Sequence, residues 1–371
     1  MSIQVEELLL LLSAAVACAV LGPFLVLRRL ALVTDAISHV LLFGIVAAYL
    51  VVKDVGSPWL FFGAAASGVL TVLLVEGLQR VRFIRSDAAI GLVFPTLFAL
   101  GVLLLTLFVP KTTHLDVDQV LLGTPELAVF DLLSWNGVPV IARGTAILTG
   151  LFALNLAAIL LLYKELKLST FDAGLAVVFG FAPALLHYGL MTLVSLTAVA
   201  AFNAVGPVTV VALFVVPAAC AAQVCVKLSH LLLASLGFAL AGSYAGVWLA
   251  LAWDTNLGGT VAATLGLLFA SVFLLAPPHG LLWQGLRDVR QRRSFNELLL
   301  AIHLQQHENT SVEVEESTLA GLHRHFHWHP TVLRRVMARA VRRGWVQPQG
   351  ARLMLTSAGR TAAGEVFQVR G

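Results

Sequence analysis

Nine stretches of this chain hold almost no charge for about the length of a membrane crossing: residues 8–27, 33–52, 58–78, 88–109, 141–163, 183–203, 207–226, 229–252 and 257–277. About 20 consecutive apolar residues suffice for a helix to cross the hydrocarbon layer, so each run predicts a transmembrane helix. If every run spans, the basic residues between them (Arg28 and Arg29; Arg80, Arg82 and Arg85; Lys164 and Lys167; Lys227; Arg287 to Arg293) fall on one side. Excess Lys and Arg marks cytoplasmic loops, which puts the C-terminus inside and the N-terminus outside. Lys53–Asp54, the loop Lys111 to Val140 and Trp253–Asp254 then face outward. The run 204–226 is interrupted by Gly206, Pro207 and Pro217; a broken or re-entrant helix there would leave eight spans instead of nine.

Composition agrees with that pattern. Of 371 residues, 59% are hydrophobic and 12% charged, and the mean hydropathy of +0.90 excludes a soluble globular protein. The expected location is the cell (inner) membrane, multi-pass. The first run starts behind Glu6 and Glu7 without a basic flank or an AxA-like cleavage site, so it is expected to stay as the first span rather than act as a signal peptide. Cys18, Cys220 and Cys225 all lie in apolar runs and form no CxxC pair, so they are read as small core residues. The net charge of +4 says little about partners, because arginines gather at run ends and in the last part of the chain.

Two ionisable residues break the second run: Asp35 and His39, in LGPFLVLRRLALVTDAISHVLLFGIVAAYL. Four residues apart on a helix, they share one face a turn apart. A carboxylate and an imidazole at hydrocarbon depth must face a cavity, a partner or an ion. Carboxylate plus imidazole suits zinc, manganese or ferrous iron better than an alkali cation. Two ligands do not complete such a site, so a second copy of the helix across a two-fold axis is expected. Spacing alone leaves a second reading open, in which His39 bonds a backbone carbonyl and Thr34 or Asp35 caps the helix.

Two loops carry further polar or amphipathic character. His114, Asp116, Asp118 and Glu126 in the long outer loop would suit collection of a cation at a pore mouth, or simple exposure to solvent. The inner loop KELKLSTFDAGLAVVFGFAP, Lys164 to Pro183, offers Ser169 or Thr170 as cap of a short amphipathic helix with Phe171, Leu175, Val178 and Phe179, ending at Gly180 and Pro183. Such a helix lies on the membrane surface, or docks into a soluble partner.

In order, GPFLVLRRLALVTDAISHVLLFGIVAAYL, SDAAIGLVFPTLFALGVLLL, LDVDQVLLGTP, YKELKLSTFDAGLAVVFGF and NAVGPVTVVALFVVPAACA make residues 10 to 277 resemble the permeases of ABC importers for manganese, zinc or iron, the ABC-3 type. The resemblance implies an all-α polytopic membrane protein of the cobalamin-importer-like architecture, with eight or nine transmembrane helices. It further implies a second permease subunit, identical or homologous, two ATP-binding subunits, and an extracytoplasmic metal-binding protein that delivers the ion. By the same resemblance Asp35 and His39, in DAxSH, coordinate the transported ion, and Phe171, Asp172, Ala176 and Gly180, in FDxxxAxxxG, form the region coupled to the ATPase. Val33–Thr34 stands where relatives often have glycine or small residues. No GxxxxGK[ST] P-loop occurs in the chain, so ATP binds to a partner, no cofactor is expected to be permanently bound, and the chain is not expected to be an enzyme.

Near residue 285 the composition turns charged, which divides the chain into a permease domain, 1–284, and a second domain, 285–371. Helical patterns over 295–307, 317–324 and 330–343 precede two short strands around Pro348 to Gly350 and a closing helix. That order is similar to the winged-helix domains of metal-responsive regulators, which implies a small cytoplasmic α+β domain. Arg334, Arg335, Arg339, Arg342 and Arg343 are candidate phosphate contacts if the third helix enters a groove. A membrane tether and the anionic inner leaflet argue against that role, so nucleic acid is not expected among the partners. In HRHFHWH, His323, His325, His327 and His329 are candidates for a regulatory metal site, with His303 and His307 upstream at helical spacing. Two alternatives stand beside the metal importer: a permease for a metal chelate such as a siderophore or cobalamin, and a membrane-anchored metal-responsive transcriptional regulator.

Overall fold

The computed structural model describes residues 3–54, 57–79, 85–109, 125–135, 138–276, 280–310, 312–350 and 352–368. Arg80, Arg82, His114, Asp116 and Asp118 lie outside these residues, as do the side chains of Glu126 and of Arg287 to Arg293. The chain forms two compact units, 1–280 and 281–371.

The first unit is a helical bundle: α1 (Ile3–Ala19), α2 (Gly22–Leu27), α3 (Ala31–Val52), α4 (Trp59–Gln79), α5 (Ser86–Phe108), α6 (Pro125–Ala128), α7 (Arg143–Leu161), α8 (Tyr163–Phe171), α9 (Ala173–Val178), α10 (Pro183–Val205), α11 (Pro207–Val224), α12 (Leu228–Trp253) and α13 (Leu257–Leu275). A short antiparallel hairpin of β1 (Leu132–Trp135) and β2 (Val138–Ala142) precedes α7. Among the described residues nine helical segments are long and apolar enough to cross a membrane, which makes this a mostly helical polytopic membrane protein. The doubtful 204–226 region resolves into a sharp turn. Gly206, at φ 81°, ends α10, and Pro207 starts α11 at a position where its missing N–H is no loss. α11 continues through Pro217.

α1 is the most enclosed segment and packs against α7, α10, α11 and α12. In lipid no hydrophobic force drives helices together, so small residues and interhelical hydrogen bonds carry the packing. Asn155 of α7 donates to Thr197 Oγ1 of α10 at 2.9 Å, Ser195 of α10 to the Ala65 carbonyl of α4 at 2.8 Å, and Ser235 of α12 to the Ala19 carbonyl at 3.0 Å.

α3 is held between α4 and α5 by glycines. A Cβ on Gly44 would run into the Gly63 carbonyl and the Ser67 hydroxyl of α4, and one on Gly101 of α5 would meet the Phe43 backbone of α3. Gly44→Leu is therefore expected to destabilise the bundle by about 1–3 kcal/mol or more, through overpacking. Its thermal unfolding in detergent should fall well below that of Gly77→Leu, since Gly77 has open space where a Cβ would stand; equal melting would refute the role given to this seam.

The second unit runs α14 (Leu281–His307), α15 (Glu313–Glu316), α16 (Leu319–Phe326), α17 (Pro330–Arg342), an antiparallel hairpin of β3 (Val346–Gln349) and β4 (Arg352–Leu355), and α18 (Ser357–Gln368). Thr318 makes an isolated bridge to Arg352, placing a third segment beside β4. The core joins Leu300 and Leu304 of α14, Leu322 of α16, Leu333 and Val336 of α17 and Val346, Leu353 and Leu355 of the hairpin.

Candidate metal centre

Asp35 and His39 lie on one stripe of α3. Val33, Ala36, Ile37 and Val40 bury the other faces of the helix, while Leu32, Asp35 and His39 mark the side left open. Asp35 is not a cap: α3 begins after Leu30 with no side-chain cap, and Thr34 bonds the Ala31 carbonyl at 2.7 Å. His39 Nε2 lies 3.6 Å from Asp35 Oδ1, and the two side chains are 42% and 51% exposed. The imidazole stacks on Phe94 of α5 with centroids 5.6 Å apart, and Phe98 meets it edge-on at 6.5 Å. The aromatic wall fixes the ring and leaves carboxylate and imidazole presented together. Half-open polar groups amid an apolar surface require something other than lipid against them.

A second polar cluster, not singled out from the sequence, lies where α2 turns into α3. Arg28 donates to Thr170 Oγ1 at 3.1 Å and Ser169 Oγ at 3.0 Å, both on α8, and lies 3.3 Å from His187 Nδ1 of α10. His187 Nε2 stands 2.6 Å from Glu76 Oε1 of α4, and Tyr188 donates to Glu76 Oε2 at 2.7 Å. Arg28, Glu76, Ser169, His187 and Tyr188 line a cleft of about 410 Å³. Its signal was present in the sequence: Glu76 and His187 are ionisable residues inside spanning runs.

The Lys164 to Pro183 segment forms two short helices, α8 and α9. Asp172 caps α9, its Oδ1 accepting from the Leu175 N–H at 2.9 Å; the expected caps Ser169 and Thr170 instead receive Arg28. Gly180, at φ 82°, closes α9, with its N–H bonding the Val177 carbonyl and the Phe181 N–H the Ala176 carbonyl. Ala176 is buried, while Phe171, Val177, Val178 and Phe179 stand exposed. Each member of FDxxxAxxxG thus has a local physical role: exposed knob, N-cap, packed small residue and left-handed closure.

In the second unit the histidines separate. His323 Nδ1 contacts the Trp328 carbonyl at 2.7 Å, His329 Nδ1 contacts Thr331 Oγ1 at 2.9 Å, and His327, at φ 52°, ends α16. His325 points to α14 and α15, where its Nδ1 lies 3.9 Å from Glu316 Oε2 and its ring 4.2 Å from that of His303. His303 is buried, and burial first, then His325 and His307, hold its imidazole below its usual pKa against the opposing Glu316 carboxylate. The arginines also divide. Arg339 Nε and Arg343 Nε reach the two oxygens of buried Glu297 at 3.2 and 3.1 Å, tying α17 to α14, whereas Arg334, Arg335 and Arg342 stand exposed.

Residues 5–276 match the family described as ABC 3 transport family. Over 361 residues, 96% of the chain and 97% of the relative, the sequence is 39% identical to the zinc transport system membrane protein TroD of Treponema pallidum (strain Nichols). Over 278 residues, 75% of the chain and 94% of the relative, it is 37% identical to the manganese transport system membrane protein MntD of Bacillus subtilis (strain 168). A solved structure, PsaBC from Streptococcus pneumoniae in complex with Fab, covers 75% of the chain and 94% of its own at 27% identity and a TM-score of 0.62.

Proposed function

The chain belongs to the ABC 3 transport family, and on that footing we propose that it is the membrane permease subunit of an importer that carries a divalent transition-metal ion, manganese, zinc or iron, into the cytoplasm. The observation that carries the reading is the half-open Asp35–His39 pair on the open stripe of a membrane span. A second α3, from an identical or homologous permease subunit, would raise the donor set to two carboxylates and two imidazoles, enough for the four-coordinate preference of zinc and most of the six positions of manganese or iron. The ion is the cargo: an extracytoplasmic metal-binding protein delivers it, the paired α3 helices hold it desolvated, and opening of the subunit junction releases it inward. Binding must be strong enough to strip water and weak enough to let go. The names of the relatives, which include both zinc and manganese systems, support this class of cargo.

The energy source is a separate ATP-binding subunit, because this chain has no P-loop of its own. Phe171, Asp172, Ala176 and Gly180 form the docking element for that subunit: the cap and the left-handed closure hold α9 in one shape, and Phe171, Val177 and Phe179 are the knobs. Phe179→Asp is expected to release the ATP-binding subunit. Pull-down from detergent should recover little of it, while Val224→Asp, also exposed but on α11, retains it; equal recovery would remove α9 from the interface.

We assign 285–371 to the cytoplasmic side on the weight of the basic residues between the spans, and propose for it a winged-helix organisation, supported by the order α14, α16, α17, hairpin, with the single turn α15 between the first two, and by the Thr318–Arg352 bridge. With Arg339 and Arg343 engaged by Glu297, regulation of transport or contact with the ATP-binding subunit is the role favoured over nucleic acid. The test of the whole reading is uptake of radioactive manganese, zinc and iron by the permease reconstituted with its ATP-binding subunit. ATP-dependent accumulation of at least one is expected; failure of all three overturns it.

A further inference from the structure

Three elements of the second unit bring metal-ligating groups to one point: His303 on α14, Glu316 at the end of α15 and His325 on α16. Their donor atoms all lie within 4.8 Å of one another. His303 Nε2 is 3.2 Å from Glu316 Oε2, and His325 Nδ1 is 3.9 Å from the same oxygen. In a tetrahedral site with metal–ligand bonds of about 2.0–2.1 Å, donors stand about 3.4 Å apart, so these separations bracket the spacing an ion would impose.

A second observation is independent of spacing. The His303 side chain is only 4% exposed, and among the described residues its Nε2 and Glu316 Oε2 are both buried, facing each other at 3.2 Å without a hydrogen bond of proper geometry to any side chain. A buried imidazole and carboxylate that face each other without a well-formed hydrogen bond ask for an explanation, an ion between them being one. The ring of His307 lies 4.4 Å from that of His303 and 6.1 Å from that of His325.

We infer that His303, Glu316 and His325 form a binding site for a divalent transition-metal ion, distinct from the Asp35–His39 pair. Two imidazoles and one carboxylate leave a fourth position for water and suit zinc, and cobalt as its spectroscopic stand-in. The ion ties α15 and α16 to α14, the helix that follows the last span in the chain. Only the statement that this ion is also the cargo rests on the importer reading. Under that reading, the site gives the transporter a measure of the metal it has delivered.

The test uses the full chain in detergent, carrying Asp35→Ala and His39→Ala so that the membrane pair contributes nothing. Cobalt is titrated and followed by visible d–d absorption, with bound zinc counted after dialysis. One ion per chain with a tetrahedral spectrum is expected. Glu316→Gln and His325→Ala, at partly exposed positions where misfolding is not at issue, should weaken binding by about 10-fold or more; His323→Ala and His329→Ala should leave it unchanged. Binding that is absent from the parent, or that survives both Glu316→Gln and His325→Ala, overturns the site. Uptake is the separate readout and is taken on the chain with Asp35 and His39 intact: if that chain imports no metal when reconstituted while the site here binds cobalt, this site stands and the importer reading falls, and import without binding here does the reverse.

Discussion

Alanine at both Asp35 and His39 is expected to abolish metal uptake, lowering its initial rate by about 100-fold or more. The size of the effect follows from the setting. An ion entering an apolar span loses its water, and only groups that replace that water can hold it there. In a symmetric pair of subunits the double substitution removes two carboxylates and two imidazoles, so the passage keeps neither the charge nor the donors. Asp35→Asn is the sharper variant, since it retains size and hydrogen bonding but loses the negative charge that offsets the cation. His39→Phe would preserve stacking on Phe94 while deleting the ligand. Radioactive uptake and metal bound per dimer measure both effects. A chelate carrier would be indifferent to these changes, so unchanged stoichiometry and uptake would end the proposal for a bare ion.

What sequence could and could not convey divides along the range of the interaction. Spans were legible because length and hydropathy are local, and Ala31–Val52 or Leu228–Trp253 need no neighbour to be recognised. Asp35 and His39 were legible as a pair because helical spacing is local too. The hub at Arg28 was not: its partners Ser169, Thr170 and His187 lie some 140 to 160 positions away, and no periodicity links them. Ser169 and Thr170 looked like caps because hydroxyls before an apolar stretch usually are, yet the cap went to Asp172, whose carboxylate reaches the Leu175 N–H. The histidine run misled for a related reason. Alternation along HRHFHWH suggests a shared face, but those residues straddle the end of α16, where His327 turns left-handed and sends its neighbours apart. His325 instead meets Glu316, a residue that reads as one of several surface acids until the chain is folded.

Arg28→Ala is expected to uncouple ATP hydrolysis from transport without detaching the ATP-binding subunit. Arg28 is the C-cap of α2, close ahead of the first turn of α3 and one turn further from Asp35. Through its guanidinium, the turn that leads into α3 is joined to α8 by Thr170 and Ser169, and to α10 by His187, which in turn meets Glu76 of α4. Each charge-assisted hydrogen bond is worth about 1.5–3 kcal/mol, so together these contacts can make α8 and the start of α3 move as one body. The exposed knobs of α9 lie on the far side of Asp172 from Arg28's partners and survive the substitution, which is why docking should persist while the push no longer reaches α3. Arg28→Lys restores charge but not the fork that serves two hydroxyls and a ring at once, and should recover only part of the coupling. The quantity to measure is ATP hydrolysed per ion imported by the reconstituted complex. That ratio should rise several-fold in Arg28→Ala, with subunit recovery unchanged. A ratio equal to that of the unmodified protein would place the transmission elsewhere, and a simultaneous loss of the ATP-binding subunit would make Arg28 a support for the proposed docking element instead of a link to α3.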